Sequence, residues 1–434
     1  MNGIFFALVL IAFLVAGWRQ ITWVPPSIDA VSPMQTLANG MVETAGSSVT
    51  LAIGLIGVMA LFLGLMKVAE EGGMLTIIAK TIRPLMVRLF PEVPANHPAM
   101  GAMILNMSAN ALGLGNAATP FGIRAMQELD KLNAHKGTAT NAMALFLAIN
   151  TSSVTLLPTG VIALRAAAGS ADPAGILPTT LFATICSTTV AIIACLILQR
   201  RWKTPAQITP PEEIIEPDTS IDHGETLPDA ADDTYPLWVS VVALAGIAAL
   251  VPVTILHGRT ISPWIIPGLM VGLLGFGVAK KVRIYEAFVE GAKDGFKVAI
   301  RIIPYLVAIL VAVGMFRNSG ALEAVITAIG PITTLFGMPP EALPMAMLRP
   351  LSGSGAYGVL ASIIQDPNIG PDSYAGYLVS TLQGSTETTF YVLAVYFGAV
   401  QIRRIRHALI AALCADAAGI AAAVFICFFL FGSL

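Results

Sequence analysis

Apolar residues in this chain come in long blocks, and polar residues interrupt them at few places. Blocks at 49–66, 176–198, 237–256, 263–278, 300–315 and 408–431 are long enough to cross about 30 Å of hydrocarbon as helices, or nearly so. Residues 3–18 form one more apolar stretch. It resembles a signal peptide in length, but it lacks a basic start and ends on the interfacial pair Trp18-Arg19, so a retained first helix is expected. The pattern predicts an all-α polytopic membrane protein.

The pattern occurs twice. Val42-Glu43-Thr44-Ala45 returns as Val289-Glu290-Gly291-Ala292, Gly73-Met74-Leu75 as Gly320-Ala321-Leu322, and Ile82-Arg83-Pro84 as Ile329-Gly330-Pro331. Further on, the polar run Asn150-Thr151-Ser152-Ser153-Val154-Thr155 is matched by Gln383-Gly384-Ser385-Thr386-Glu387-Thr388 at a shorter offset, so one loop of the second copy is shorter. Duplicated halves built around interrupted helices are a mark of secondary transporters. The expected division is 1–41, an N-terminal helix and outer loop; 42–202, the first repeat; 203–235, a linker; 236–288, two connecting membrane helices; and 289–434, the second repeat.

Broken helix survives at membrane depth only against protein or a wet cavity. Two kinds of break are expected in each copy. The first is a re-entrant hairpin. Residues 106–122 hold Asn106, Ser108, Asn110 and Asn116 with Gly113, Gly115 and Pro120, and Asn106, Asn110 and Gly113 share a helical face. The counterpart is Arg349-Pro350-Leu351-Ser352-Gly353-Ser354-Gly355. The second kind is unwound helix at 150–155 and 383–389, offering carbonyls and hydroxyls to a solute or cation. For any one glycine or serine the alternative is small-residue helix packing; matching clusters in both copies favour a site. The expected solute-binding residues are Asn106, Ser108, Asn110, Asn116, Asn150, Thr151, Ser152, Ser153, Ser352, Ser354, Gln383, Ser385 and Thr386. Glu387, Arg349 and Thr388 are expected to couple an ion. A carboxylate at depth must face a cavity, pair or stay protonated, and Arg349 is the base nearest in the pattern. Asp416, deep in the last apolar block, reads first as a helix–helix hydrogen bond and second as a proton site.

Composition supports this frame. Of 434 residues 56% are hydrophobic and 12% charged, with mean hydropathy +0.78, against about 25% charged in soluble proteins. The net charge of −2 conceals a proline-rich stretch at 203–235 that holds nine acids from Glu212 to Asp233 and reads as a solvated, largely disordered cytoplasmic linker. The four cysteines lie in apolar blocks without metal spacing. Nucleotide-binding, serine-hydrolase and zinc-protease motifs are missing, which argues against an ATP-driven pump and against an enzyme. No cofactor, metal or nucleic acid is expected.

Charge also suggests orientation. Arg200-Arg201-Trp202-Lys203 follows the last block of copy one, whereas Arg403-Arg404-Ile405-Arg406 precedes that of copy two. Residues 76–90 carry Lys80, Arg83 and Arg88, against only Glu323 at 322–336; both stretches are expected to lie in the interface, each interrupted near its proline. The loop before the polar run holds Arg124, Lys131 and Lys136 in copy one, but Asp366 and Asp372 in copy two. Two inverted-topology repeats follow, with about nine membrane crossings, the N-terminus inside and the C-terminus outside. Arg165 and Arg317, at predicted outer ends, run against this pattern.

Residues 106–122 with Phe121-Gly122-Ile123-Arg124-Ala125-Met126 resemble the spore maturation A proteins. Arg349 to Tyr357, followed by Gln383-Gly384-Ser385-Thr386-Glu387-Thr388-Thr389-Phe390-Tyr391, resembles the spore maturation B proteins. Outside its linker the chain is similar to a fusion of the two. Both belong to the nucleoside recognition, or Gate, domain family, which is similar to membrane parts of concentrative nucleoside transporters and of ferrous iron transporter B. The resemblance implies a link to spore core dehydration and cortex maturation and supplies no common substrate. The expected function is an inner-membrane secondary transporter of a small polar solute, nucleoside-like or other, coupled to H+ or Na+, with a homo-oligomer left open. The alternative is a non-transporting scaffold or sensor for envelope or spore-cortex maturation. An intramembrane enzyme built on Ser385 or Thr386 beside Glu387 is the weakest reading.

Overall fold

A computed structural model describes residues 2–25, 27, 30–113, 118–202 and 235–432. The described residues form helices and no named strand. The first half runs α1 (Asn2–Ile21), α2 (Pro33–Glu71), α3 (Met74–Leu89), α4 (Pro98–Ala111), α5 (Thr119–Lys131), α6 (Asn141–Thr151), α7 (Thr159–Ala167) and α8 (Leu177–Leu198). After α9 (Leu237–Ala279) come α10 (Ile284–Asn318), α11 (Ala321–Leu335), a 3-10 turn (Pro340–Ala342) leading into α12 (Leu343–Leu348), then α13 (Gly353–Ile364), α14 (Tyr374–Ser385), α15 (Thr389–Ala399) and α16 (Ala408–Phe431). From α2 to α8 and from α10 to α16 the order of helices is the same. Even the corners agree: Gly73 and Gly320 adopt left-handed backbone at φ 79° and 84° between the long helix and the next, a conformation glycine reaches without strain. Two described helices, α8 and α16, are long and apolar enough to cross a membrane by length and composition.

Equivalent helices pack against each other and run antiparallel. Along α2 and α10, Gly40 lies against Asn318, Thr44 against Gly314, Gly64 against Phe288 and the Lys67 stem against Gly291. On α8 and α16, Phe182 meets Phe425 at 6.2 Å, Ser187 Oγ donates to Ala415 O at 2.8 Å, and beyond the helix ends Trp202 meets His407 at 6.4 Å. The glycines on α2 and α10 let the long helices approach closely.

The apolar interior divides into two clusters, and each draws on both halves. One joins α4, α5 and α6 to α15 and the first part of α16. The other joins α12, α13 and α14 to α7 and the last part of α16. Thus α15 completes the first half's core and α7 the second's.

Two expectations change. Neither α3 nor α11 is interrupted: each continues through its proline, Pro84 or Pro331. Proline removes one backbone donor, and the bonds on either side hold the helix. The stretch expected as two connecting spans is one helical run, α9, but it is not straight. Ser240 Oγ donates to Thr81 O on α3, while Phe276 packs on Gly72 at the start of α3. A straight helix from Ser240 to Phe276 would span about 54 Å, several times the length of α3 between those two contacts. The run therefore bends back, and its ends return to one region.

Candidate functional site: the crossing of the helix breaks

Four breaks interrupt the two halves: one after Ala111, between α4 and α5, and those at 152–158 between α6 and α7, 349–352 between α12 and α13, and 386–388 between α14 and α15. They meet through backbone bonds. Leu156 N donates to Ala111 O at 2.9 Å, tying the first unwound run to its hairpin. Phe390 N donates to Pro350 O at 3.1 Å, the same tie in the second half. Glu387 N donates to Thr151 O at 2.8 Å, joining the halves. Each bond satisfies an amide that unwinding leaves without a helical partner. At Gly113, φ is +74° and an added methyl would lie 2.0 Å from Leu157 O, so this corner requires glycine for both conformation and room.

Two polar clusters flank the crossing. In the first, Asn110 Nδ2 donates to Asn150 Oδ1 at 2.9 Å, and Asn150 Nδ2 to Phe146 O at 2.9 Å. Asn106 Nδ2 donates to Ala118 O at 2.8 Å and to the Tyr396 hydroxyl at 3.1 Å. Tyr396 from the second half closes the cluster by donating to Asn150 Oδ1 at 3.4 Å, its ring stacked on Phe146 at 6.0 Å. Asn106 Oδ1 is buried with no partner.

In the second cluster Arg349, 4% exposed, donates through Nη1 to Thr388 Oγ1 at 3.1 Å, and its Nη2 lies 3.7 Å from Glu387 Oε2. The Glu387 side chain is 48% exposed, although Thr386 and Thr388 on either side are each 5% exposed. At 3.7 Å, with the carboxylate half exposed, Arg349 holds it loosely. Gln383 Oε1 is buried without a partner.

Other expected residues are used locally. The unwound runs are shorter than 150–155 and 383–389: Asn150, Thr151, Gln383, Gly384 and Ser385 are still helical. Ser108, Thr151, Ser152 and Ser385 donate to carbonyls three or four residues back, those of Ile104, Ala148, Ala148 and Leu382, the usual alternative for a hydroxyl at a helix end. Ser352 caps α13 by accepting from Gly355 N at 3.0 Å, and Thr386 lies against Gly419 of α16. Ser153 is buried in the break, and its carbonyl accepts from Thr155 Oγ1 at 3.3 Å. Asn116 and the side chain of Ser354 lie outside the described residues. So does nearly all of the acidic stretch 203–235.

The loops at the two ends are also paired across the halves. At one end Arg403 N and Arg404 N donate to Gly137 O at 2.9 and 3.0 Å, while Arg406 donates to Ala139 O at 2.9 Å and to Trp202 O, so the two basic clusters that flank α8 and α16 in sequence come together. At the other end Arg165, fully buried, donates to Pro371 O at 2.6 Å and to Asp372 at 3.0 Å beneath the ring of Tyr377. Arg317 pairs with Asp366 at 3.0 Å. The two arginines that ran against the charge pattern are thus neutralised by the acidic loop of the second copy, Arg165 across the halves and Arg317 within its own. An open hollow of about 470 Å³ lies elsewhere, between Arg19 and Glu323 at the start of α11. Among the described residues no group of three or more His, Cys, Asp or Glu could hold a metal ion.

The sequence profile of a family described as nucleoside recognition, Gate, matches residues 52–168 and 299–403, a little over half of the chain. Spore maturation protein B of Bacillus subtilis is 48% identical over 168 residues, 39% of this chain and 93% of that protein. Spore maturation protein A of the same organism is 42% identical over 182 residues, 40% of this chain and 92% of that protein. The inner membrane protein YjiG of Escherichia coli is 31% identical over 82 residues, 19% of this chain and 54% of that protein. A solved structure of a CNTnw double variant in an outward-facing state covers 99% of both chains at 12% identity, with a TM-score of 0.43.

Proposed function

The chain belongs to the nucleoside recognition (Gate) family, and from that premise we propose that it is a membrane secondary transporter of a small polar solute, nucleoside-like or other, driven by protons or sodium ions. One observation carries the proposal: the unwound runs of both halves bond to each other at Glu387 N and Thr151 O, and the acid at that crossing is half exposed between buried neighbours. In this reading the solute is held by the amides of Asn106, Asn110, Asn116, Asn150 and Gln383 and by the hydroxyls of Ser108, Thr151, Ser152, Ser153, Ser352, Ser354, Ser385 and Thr386. Glu387, steadied by Arg349 and Thr388, exchanges the driving ion.

Alternating access is the rocking of one inverted repeat against the other. The inversion draws support from the antiparallel pairing of equivalent helices, above all from Thr44 on Gly314 and Lys67 on Gly291. Positions 44 and 291 correspond in the repeat, as do 67 and 314, so the two contacts are one contact made twice about a two-fold axis. About nine crossings, an inner-membrane location and a cytoplasmic acidic linker complete the proposal. The direct test uses purified protein in liposomes, with a panel of nucleosides and other small polar solutes under an imposed proton or sodium gradient. Gradient-dependent uptake is expected, and Glu387→Gln should abolish it while the protein remains folded. No gradient-driven flux of any solute would refute the reading.

A second reading, a scaffold or sensor for envelope maturation, draws on the names of the two relatives that together match most of the chain. Deleting 209–233 separates the two, since a transporter keeps its flux without that stretch and a linker-docked scaffold loses its activity.

A further inference from the structure

Asp416 lies in the first half of α16, 3% exposed. Its Oδ2 accepts from Thr389 Oγ1 at 2.6 Å, and its Oδ1 is buried with no partner. Thr389 is the first residue of α15, directly after the unwound run that carries Glu387. Arg349 serves the other side of that run, with its two terminal nitrogens directed at Thr388 and Glu387 and its Nε buried without a partner. Two carboxyls therefore flank one guanidinium, and the guanidinium is engaged with the half-exposed one. Helices α6, α8, α14 and α15, which pack on α16, bring thiols and phenols (Cys186, Cys195, Tyr374, Tyr377, Tyr391 and Tyr396) but no charged side chain. With Arg349 committed to Thr388 and Glu387, an ionised carboxylate here would be a buried charge bonded only by one hydroxyl, which costs more than the surroundings return; a carboxyl so placed takes up a proton instead.

We infer that Asp416 is a proton-binding site, separate from Glu387, that is loaded in the arrangement described and discharges when the 386–388 run moves. The Thr389 contact suits both forms, because a hydroxyl can donate to a carboxylate or accept from a carboxylic acid at the same separation. The route is short. Movement of the run that carries Thr389 would uncover Oδ1 on the side where the half-exposed Glu387 lies. The proton would then leave to bulk water, and the positive charge of Arg349 nearby would favour the resulting carboxylate. A sodium ion would need several converging oxygens at the carboxylate, whereas Asp416 has one hydroxyl.

The use made of this proton rests on the transport reading, but its presence does not. The test is infrared spectroscopy of the full chain in nanodiscs at neutral pH, following the carbonyl stretch of a protonated, hydrogen-bonded carboxylic acid. The wild type should show this band and Glu387→Gln should keep it. Asp416→Asn should lose it, releasing one proton fewer per chain than the wild type when the pH is stepped from neutral to alkaline. Thr389→Val, which removes the hydroxyl and leaves the acid, should shift the band without abolishing it; that variant decides the matter if Asp416→Asn fails to fold. A wild-type spectrum without the band, or a band unchanged in both Asp416→Asn and Thr389→Val, overturns the inference. The band with no solute flux would refute transport alone, whereas gradient-driven flux without the band would refute the proton site alone.

Discussion

Tyr396 uses one hydroxyl to accept from Asn106, donate to Asn150 and fill the space above Gly122, where an added methyl would fall 2.1 Å away. Tyr396→Phe removes one bond from each of two buried amides that keep another, to Ala118 O and from Asn110, and a net hydrogen bond is worth about 1 kcal/mol. Thermal unfolding in detergent should show that loss, with the half-exposed Tyr391→Phe close to wild type. His407 makes a pH prediction. Its imidazole is fully buried, neither nitrogen has a partner, and burial, with Arg406 alongside, lowers it from 6.5 to about 4. The unfolded chain therefore takes up a proton before the folded one as pH falls. Stability from His407 is full above about 6.5, declines between about 6.5 and about 4, and changes no further below. The melting temperature should fall less over this range in His407→Gln than in the wild type. Glu387 and Arg349 were legible in the sequence because charge at depth cannot be overlooked. Tyr396 was not: one tyrosine in the apolar run from Phe390 to Phe397 resembles any lipid-facing or core aromatic. The signal it did carry was its place seven residues after Thr389, on the same face of α15.

Breaks and corners were the most legible elements, because glycine and proline act on the backbone itself. Gly113 and Gly73 share left-handed φ but differ in surroundings: Leu157 O crowds Gly113, whereas nothing lies within 4 Å of an added methyl at Gly73. Gly73→Ala should cost only the conformational strain, about 1–2 kcal/mol, and Gly113→Ala clearly more, measured as loss of melting temperature. The lengths of the unwound runs were not legible. Hydroxyls such as Thr151 and Ser385 look the same in a sequence whether they face a ligand or bond back to their own helix, and here they extend the helix by a turn. The course of α9 was equally hidden, since two apolar blocks in sequence do not say whether the backbone between them unwinds or only bends.

At the scale of the molecule, the charge pattern becomes a pairing of ends. The loop at 133–140 lies with 403–407, and the loop at 365–373 with 165–172. The two loops are equivalent in the repeat, yet one end is basic and the other acidic around Arg165 and Arg317. A reporter inserted after Lys136 and another after Asp372 should fall on opposite sides of the membrane; both on one side would reject the inversion. Arg165 could not be assigned from sequence, because its charged partner Asp372 lies 207 positions away and its charge alone read as an exception.

The exchange of α15 and α7 between the two apolar clusters bears on biosynthesis. Neither half encloses its own interior, so a half made alone would expose the face that the other's short helix covers. Were the halves separate polypeptides, reaching the finished state would be a second-order encounter in the membrane, sensitive to the dosage of each. In one polypeptide the encounter is first order, the stoichiometry is fixed at one to one, and the yield no longer depends on how much protein the cell makes.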